Sequence, residues 1–312
     1  MRLTSTFTVL SLPLVLSLVA CGDDGGSTPP PPDAPDTTPD IGFNKPEKPL
    51  MANDQQGGNW VELGPANLSC LNTPTDDVAT TEEITINATV TDFEKGDPVP
   101  GAVVTVFKDQ AIDSPEGDPS TADSESKVTL TLPAGTTRFG YKMTHATALD
   151  TLLLNQVLRD PSTTPQDVGE IQIVKTTTAQ TLAALINVSR TPGTGILAGA
   201  MRDCDGNEVS NFIATVSSTK GTVTHVDGVD NYYFSPSVGL PARHNQQPAA
   251  SANGLFMSIE MQPTAKAYVQ VWGYPTQADV DSDNLTLIAE LETQVIADTV
   301  ITGSYEPLRT SN

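Results

Sequence analysis

The stretch "INATVTDFEKGDPVPGAVVTVF", Ile86 to Phe107, decides the fold reading. Apolar and polar residues alternate up to Asp92, a turn rich in Asp, Gly and Pro follows, and a second apolar run ends on Thr105-Val106. Period-two alternation broken by turn formers is the signature of strands. The same plan recurs at "ILAGAMRDCDGNEVSNFIATVSS", from Ile196, with its own acidic turn, Asp203 to Gly206. Val99 to Val106 and Val209 to Val216 are equally spaced, and both units close on Thr-Val. Asp92, Asp203 and Asp205 read as turn formers, because Asp side chains bond their own backbone in turns.

Downstream the parallel continues. "DSESKVTLTLPAGTTRFGYKMT", from Asp123, matches "SANGLFMSIEMQPTAKAYVQVWGY", from Ser251. In each, an alternating strand meets a proline, and Phe139 follows Pro133 as Val269 follows Pro263. This pattern resembles the carboxypeptidase regulatory-like family, which has a transthyretin-like (prealbumin-like) sandwich. Val90-Thr91-Asp92, Gly96, Pro98-Val99, Gly101-Ala102 and Pro133-Ala134-Gly135 carry the likeness in the first unit; Met201-Arg202-Asp203, Gly206, Val209 and Asn253-Gly254-Leu255-Phe256 carry it in the second. Ser126 and Asn211 stand where the family's pattern has turn glycines. The resemblance implies an all-β chain of two tandem sandwiches, of a kind that brings no catalytic residues. Residues 51–175 are expected to form the first and 176–312 the second. The second is expected to open with a short helix on Leu182, Leu185 and Ile186, capped by Thr177 or Thr178 and ended at Pro192-Gly193.

Ahead of the repeats the character changes twice. Phe7 to Ala20 is apolar but too short to cross a hydrocarbon core of about 30 Å as a helix. With Leu18-Val19-Ala20-Cys21 at its end, it resembles the lipobox of bacterial lipoproteins. That implies a signal peptide over residues 1–20 and acylation of Cys21, an anchor that needs no spanning helix. Residues 21–50 hold Pro29 to Pro32, acids and threonines with little to bury, the composition of an extended tether. Gly22 lacks an inner-membrane retention aspartate, so the expected location is the bacterial envelope, at the outer membrane. The formal charge is −22, from 38 acids and 16 bases. Such a chain is repelled by nucleic acid and has no basic patch for it.

Cys70 and Cys204 lie in an expected oxidising compartment. One disulfide between them would add about 4 to 5 kcal/mol in the chain-entropy model; two buried free thiols would read the same.

Chemistry is sparse. His145, His225 and His244 have no zinc-helix spacing, and the chain contains no HExxH, GxSxG or phosphate-loop motif. No cofactor is expected. "DVDSDNLTLIAE" places Asp279, Asp281, Asp283 and Glu290 at an EF-hand-like count, yet Asn284 occupies the glycine position and a strand follows. A solvated acidic hairpin turn is the expectation, with a weak Ca²⁺ site on Asp279, Asp281 and Asp283 as the alternative.

"AYVQVWGY" carries Val269 and Val271 on one parity and Tyr268, Gln270, Trp272 and Tyr274 on the other. Repeat alignment sets Gln270, Trp272 and Tyr274 on Gly140, Lys142 and Thr144, which turns the aromatic set toward water. Two readings stay open: a docking face for a sugar chain or a protein, or a face covered by the helix or the other domain. The function expected is a non-catalytic, membrane-anchored lipoprotein acting in adhesion, scaffolding or ligand binding. Its expected partners are the membrane and an envelope protein or glycan. A polysaccharide-binding module and an envelope hydrolase of unfamiliar type are the alternatives.

Overall fold

A computed structural model describes residues 44–310, apart from 159, 228 and 244. The leader, Cys21, the tether up to residue 43 and His244 lie outside the described residues. Strands hold 47% of the described residues and helices 6%, so the described body is all-β.

The first repeat comprises β3 (Ile84–Asp92), β4 (Val103–Lys108), β5 (Pro115–Thr121), β6 (Lys127–Leu132), β7 (Arg138–Thr144), β8 (Asp150–Val157) and β9 (Gln166–Ile173). The second comprises β10 (Gly195–Met201), β11 (Glu208–Ser210), β12 (Ile213–Ser217), β13 (Asn231–Tyr233), β14 (Leu255–Met261), β15 (Thr264–Gly273), β16 (Thr286–Val295) and β17 (Thr299–Tyr305). The pairings repeat. β3 runs antiparallel to β6 and parallel to β9, as β10 does to β14 and β17. β4 pairs β7 and β7 pairs β8, as β12 pairs β15 and β15 pairs β16. Each unit is a sandwich. In the first, Ile86, Val90, Leu130 and Ile171 from the β6-β3-β9 sheet meet Val104, Val106, Phe139 and Tyr141 from β4 and β7.

The units do not stand apart. β17 pairs β8 in parallel, from Thr299↔Asp150 to Gly303↔Leu154. One eight-stranded sheet therefore runs through both repeats, in the order β13-β14-β10-β17-β8-β7-β4-β5. The leucine run of β8 explains why. Leu152 and Leu154 enter the core of the second unit, while Leu153 packs against the core of the first. A strand apolar on both parities belongs in the middle of a sheet covered on both sides.

α1 (Thr176–Leu185) lies near the boundary expected at residue 176 and covers the outer face of the second unit's half of this sheet. Its buried stripe is Ala179, Leu182, Ala183 and Ile186; Leu185, expected on that stripe, is 40% exposed. The expected caps also differ. Lys175 is the N-cap and makes no side-chain cap bond, whereas the Thr178 hydroxyl donates to Glu94 at 2.9 Å. The helix ends at Leu185, before Pro192, because Asn187 turns left-handed (φ 63°).

Residues 51–75, placed by sequence with the first domain, sit on the second. β1 (Met51–Gln56) and β2 (Asn59–Pro65) form a hairpin across Gly57-Gly58, and β1 pairs β11. Leu50 lies in the second core. Cys70 and Cys204 are joined as a disulfide with Cα atoms 5.9 Å apart. The tail closes the strap, since Thr310 donates to the Thr73 carbonyl at 2.9 Å. The first sandwich proper therefore begins at β3.

The two departures from the glycine pattern keep glycine's conformation: φ is 64° at Ser126 and 65° at Asn211, against 66° at Gly254 and 80° at Gly101, their counterparts in the other repeat. Ser126 is fully buried and its hydroxyl has no partner. Ser126→Gly therefore removes left-handed strain and a stranded polar atom, opposed by the greater freedom of glycine in the unfolded chain. We expect a gain of about 1 kcal/mol, seen as a melting temperature raised by roughly 2 to 4 °C. An unchanged or lowered melting temperature would contradict the strain at this turn.

Candidate functional site

The aromatic strand of the sequence reading is β15. Val269 and Val271 enter the core, as their parity requires. The other parity is also buried: Tyr268 and Trp272 are each 7% exposed, Tyr274 2% and Gln270 0%. The exposed-face reading of Tyr268, Gln270, Trp272 and Tyr274 is thus corrected. Residues 218–226 lie over Gln270, whose Nε2 donates to the Thr219 carbonyl at 3.3 Å. On the opposite parity, with Val269 and Val271, Leu50 packs within 3 Å of where a Cβ on Gly273 would stand, and its amide bonds the Tyr274 carbonyl.

Gln270 organises this face. Its Oε1 accepts from Thr215 Oγ1 at 3.2 Å and Trp272 Nε1 at 3.1 Å, and its Nε2 also donates to Glu290 Oε2 at 2.8 Å. Two donors and two acceptor positions are all used, which is what a fully buried amide requires. Glu290 Oε2 receives the Gly221 amide as well, at 2.6 Å. Lys266 lies over the Tyr268 ring at 5.3 Å, and Lys45 over Tyr274 at the same distance.

The acidic stretch folds into a short helix, α2 (Gln277–Ser282), in place of the expected hairpin turn. Thr276 and Asp279 form a capping box, with the Thr276 amide donating to Asp279 Oδ2 at 3.0 Å. Asp281 accepts from Gln277 at 3.0 Å. Asp283, at the left-handed C-cap, accepts from the Tyr274 hydroxyl at 2.6 Å and pairs Lys45 at 3.0 Å. These two donors hold the Asp283 carboxyl below its ordinary range, while burial and then Asp283 push Tyr274 up. Each carboxylate thus faces its own partners, and among the described residues no trio of His, Cys, Asp or Glu converges on a metal-sized site.

The turn aspartates do more than turn. Asp92 and Asp203 are buried counterparts in the two repeats. Asp92 Oδ1 accepts from the Glu94 amide, and Oδ2 pairs Lys175 at 3.2 Å, tying α1 to the first unit. Asp203 Oδ1 accepts from the amides of Asp205 and Asn207, and Oδ2 receives the Asn67 amide at 3.0 Å, beside the disulfide. Arg138, not singled out by sequence, knits three segments. Its Nε donates to Asp77 at 2.6 Å, and its terminal nitrogens reach Asn155 at 2.8 Å and Glu306 at 3.4 Å. A shallow groove of about 400 Å³ lies between Leu185 of α1 and residues 235–247, lined by Val238, Leu240, Gln246 and Gln247 among others, with no titratable side chain among its described lining residues.

No protein-family model matches the chain, and no curated protein does. Among solved structures it is similar to the Bacillus anthracis TIE protein, at 11% identity and a TM-score of 0.23, over 74% of this chain and 34% of that one. It therefore spans about a third of that protein. It is also similar to the shaft pilin spaA from Lactobacillus rhamnosus GG, at 12% identity and a TM-score of 0.21, over 73% of this chain and 98% of the pilin. A third likeness is 3-chlorocatechol 1,2-dioxygenase from Rhodococcus opacus 1CP, at 12% identity and a TM-score of 0.22, over 40% of this chain and 72% of the enzyme. Likenesses this distant carry no argument about function.

Burial of the aromatic face makes a direct prediction. Trp272→Ala should cost about 3 to 5 kcal/mol, the range for truncating a large core aromatic, because it also strips a donor from Gln270. A thermal melt of the variant reads this. A melting temperature within a degree of wild type would return Trp272 to the surface.

Proposed function

We propose that the protein is a non-catalytic lipoprotein of the bacterial envelope, anchored through Cys21 at the outer membrane. It acts as a scaffolding or adhesion element that holds a partner envelope protein at a distance from the lipid. On this reading its two sandwiches are divergent carboxypeptidase regulatory-like modules. The observation that carries the proposal is the sheet shared by both units. Two modules fused through β8 and β17, with a disulfide-bound strap, present one stiff body at the end of a tether. Stiffness matters for a spacer, because a body that bends at a linker does not set a distance.

Edge chemistry agrees with a component that must not self-aggregate. The great sheet ends on β5, whose Pro115 and Pro119 withhold ladder donors, and on β13, only three residues long. Prolines and short edge strands are how sheets avoid uncontrolled pairing. The charge of −22 directs the body away from nucleic acid and anionic headgroups, leaving the acyl chains as the membrane contact.

Cys21→Ser tests the anchor. The variant should leave the membrane fraction and appear in the soluble exported fraction. Retention in the pellet after a carbonate wash would sink the lipoprotein assignment. In-cell cross-linking of the wild type should yield discrete adducts with envelope proteins that Cys21→Ser loses. Turnover of an envelope polymer by the purified body would overturn the non-catalytic assignment.

A further inference from the structure

β12 is an outer strand. Its inner edge pairs β15, from Ile213↔Trp272 to Ser217↔Tyr268. Its outer edge carries amides that no strand receives. The Ala214 amide donates to the Tyr233 hydroxyl at 3.1 Å, and the Val216 amide donates to His225 Nδ1 at 2.9 Å. The Val216 carbonyl accepts the Val226 amide at 2.9 Å. Side chains thus stand where a strand belongs.

The internal repeat shows what would otherwise stand there. Val106 and Val104 are the counterparts of Val216 and Ala214. In the first unit that edge is occupied by β5, with Val104↔Ser120 and Val106↔Glu116 in register. Among the described residues the second unit has no such strand. Residues 218–226 fold back instead, held by the Ser217–Thr224 hydroxyl contact at 2.6 Å and the Gln270–Thr219 and Glu290–Gly221 bonds.

His225 can serve Val216 in one tautomer only. Its Nε2 lies 2.8 Å from the Val229 carbonyl, which only accepts, so the proton sits on Nε2 and Nδ1 offers its lone pair. A second proton on the ring must go to Nδ1. There it faces the Val216 N–H, donor against donor, and that amide is left without an acceptor.

We propose that His225 is a proton-operated cap on the outer edge of β12, closed when the ring is neutral and released when Nδ1 is protonated. Release frees residues 218–226 and presents the position that β5 fills in the first unit. The charged surroundings suit this role. β12 carries no charged side chain, and the segment itself carries Lys220. Asp227 and Asp230 follow on the chain, Asp230 acting on the ring, and Glu290 of β16 is engaged by Gln270 and the Gly221 amide. Burial lowers the ring's pKa below the ordinary histidine value, opposed more weakly by the Val229 carbonyl and Asp230. The cap is therefore complete above about pH 6.5 and weakens as pH falls through the folded value.

Residue-resolved hydrogen exchange on the full chain tests this, with Ala214 as the internal control, since Tyr233 does not titrate in the range. Between about pH 7.5 and about pH 5, the Val216 amide should lose about tenfold in protection after correction for intrinsic rate, the order expected when a buried amide loses its partner. Ala214 should hold its protection. Equal loss at both amides, or none at either, overturns the cap. His225→Gln offers a carbonyl that accepts at any pH, so its Val216 protection should no longer respond. If that variant does not fold, the ¹⁵N shifts of the wild-type imidazole decide. A bare Nδ1 at neutral pH supports the cap, and a protonated Nδ1 overturns it.

Discussion

Parallel pairing of β8 with β17 is the contact on which the rest of the structure depends. Five residue pairs, Thr299↔Asp150 to Gly303↔Leu154, join the edge of one sandwich to the edge of the other. Leu152 and Leu154 carry the same strand into the second core while Leu153 faces the first. Burying Leu152 and Leu154, at about 1.5 to 3 kcal/mol each, with Leu153 half-buried against the first core, makes the seam part of both cores. Once it is set, α1 has one broad apolar face to cover, and Lys175 and Thr178 fix its start to the Asp92 turn. The strap of residues 44–76 then closes over the second unit through Leu50, the disulfide and the tail.

Much of each sandwich was legible in the sequence. Alternation around Val90 and Val216, the acidic turns and the proline-led strands locate the repeated pairings. Left-handed Ser126 and Asn211 show that the pattern survives where its glycines do not. The seam was harder to read. "TLLL" announces a strand buried on both faces, but nothing local says which strand lies beside it. The hairpin before Cys70 was assigned by proximity along the chain, whereas its contacts are set by β11 and Cys204, more than a hundred residues away.

The aromatic strand shows how far a repeat alignment reaches. Parity transferred correctly, since Val269 and Val271 do enter the core. Coverage did not transfer. Lys142 in the first unit is partly exposed, while its counterpart Trp272 is buried. In the acidic stretch the missed signal was Thr276 three residues before Asp279, the spacing of a capping box. Arg138 left no local signal, because its three partners come from distant parts of the chain.

A tethered body sets a distance only if it does not bend in the middle, so the shared sheet links architecture to proposed function. If the seam belongs to both cores, the units should unfold together. Differential scanning calorimetry of the full chain asks this directly. The account predicts one transition whose van't Hoff and calorimetric enthalpies agree. Two resolved transitions, or a calorimetric enthalpy well above the van't Hoff value, would contradict it.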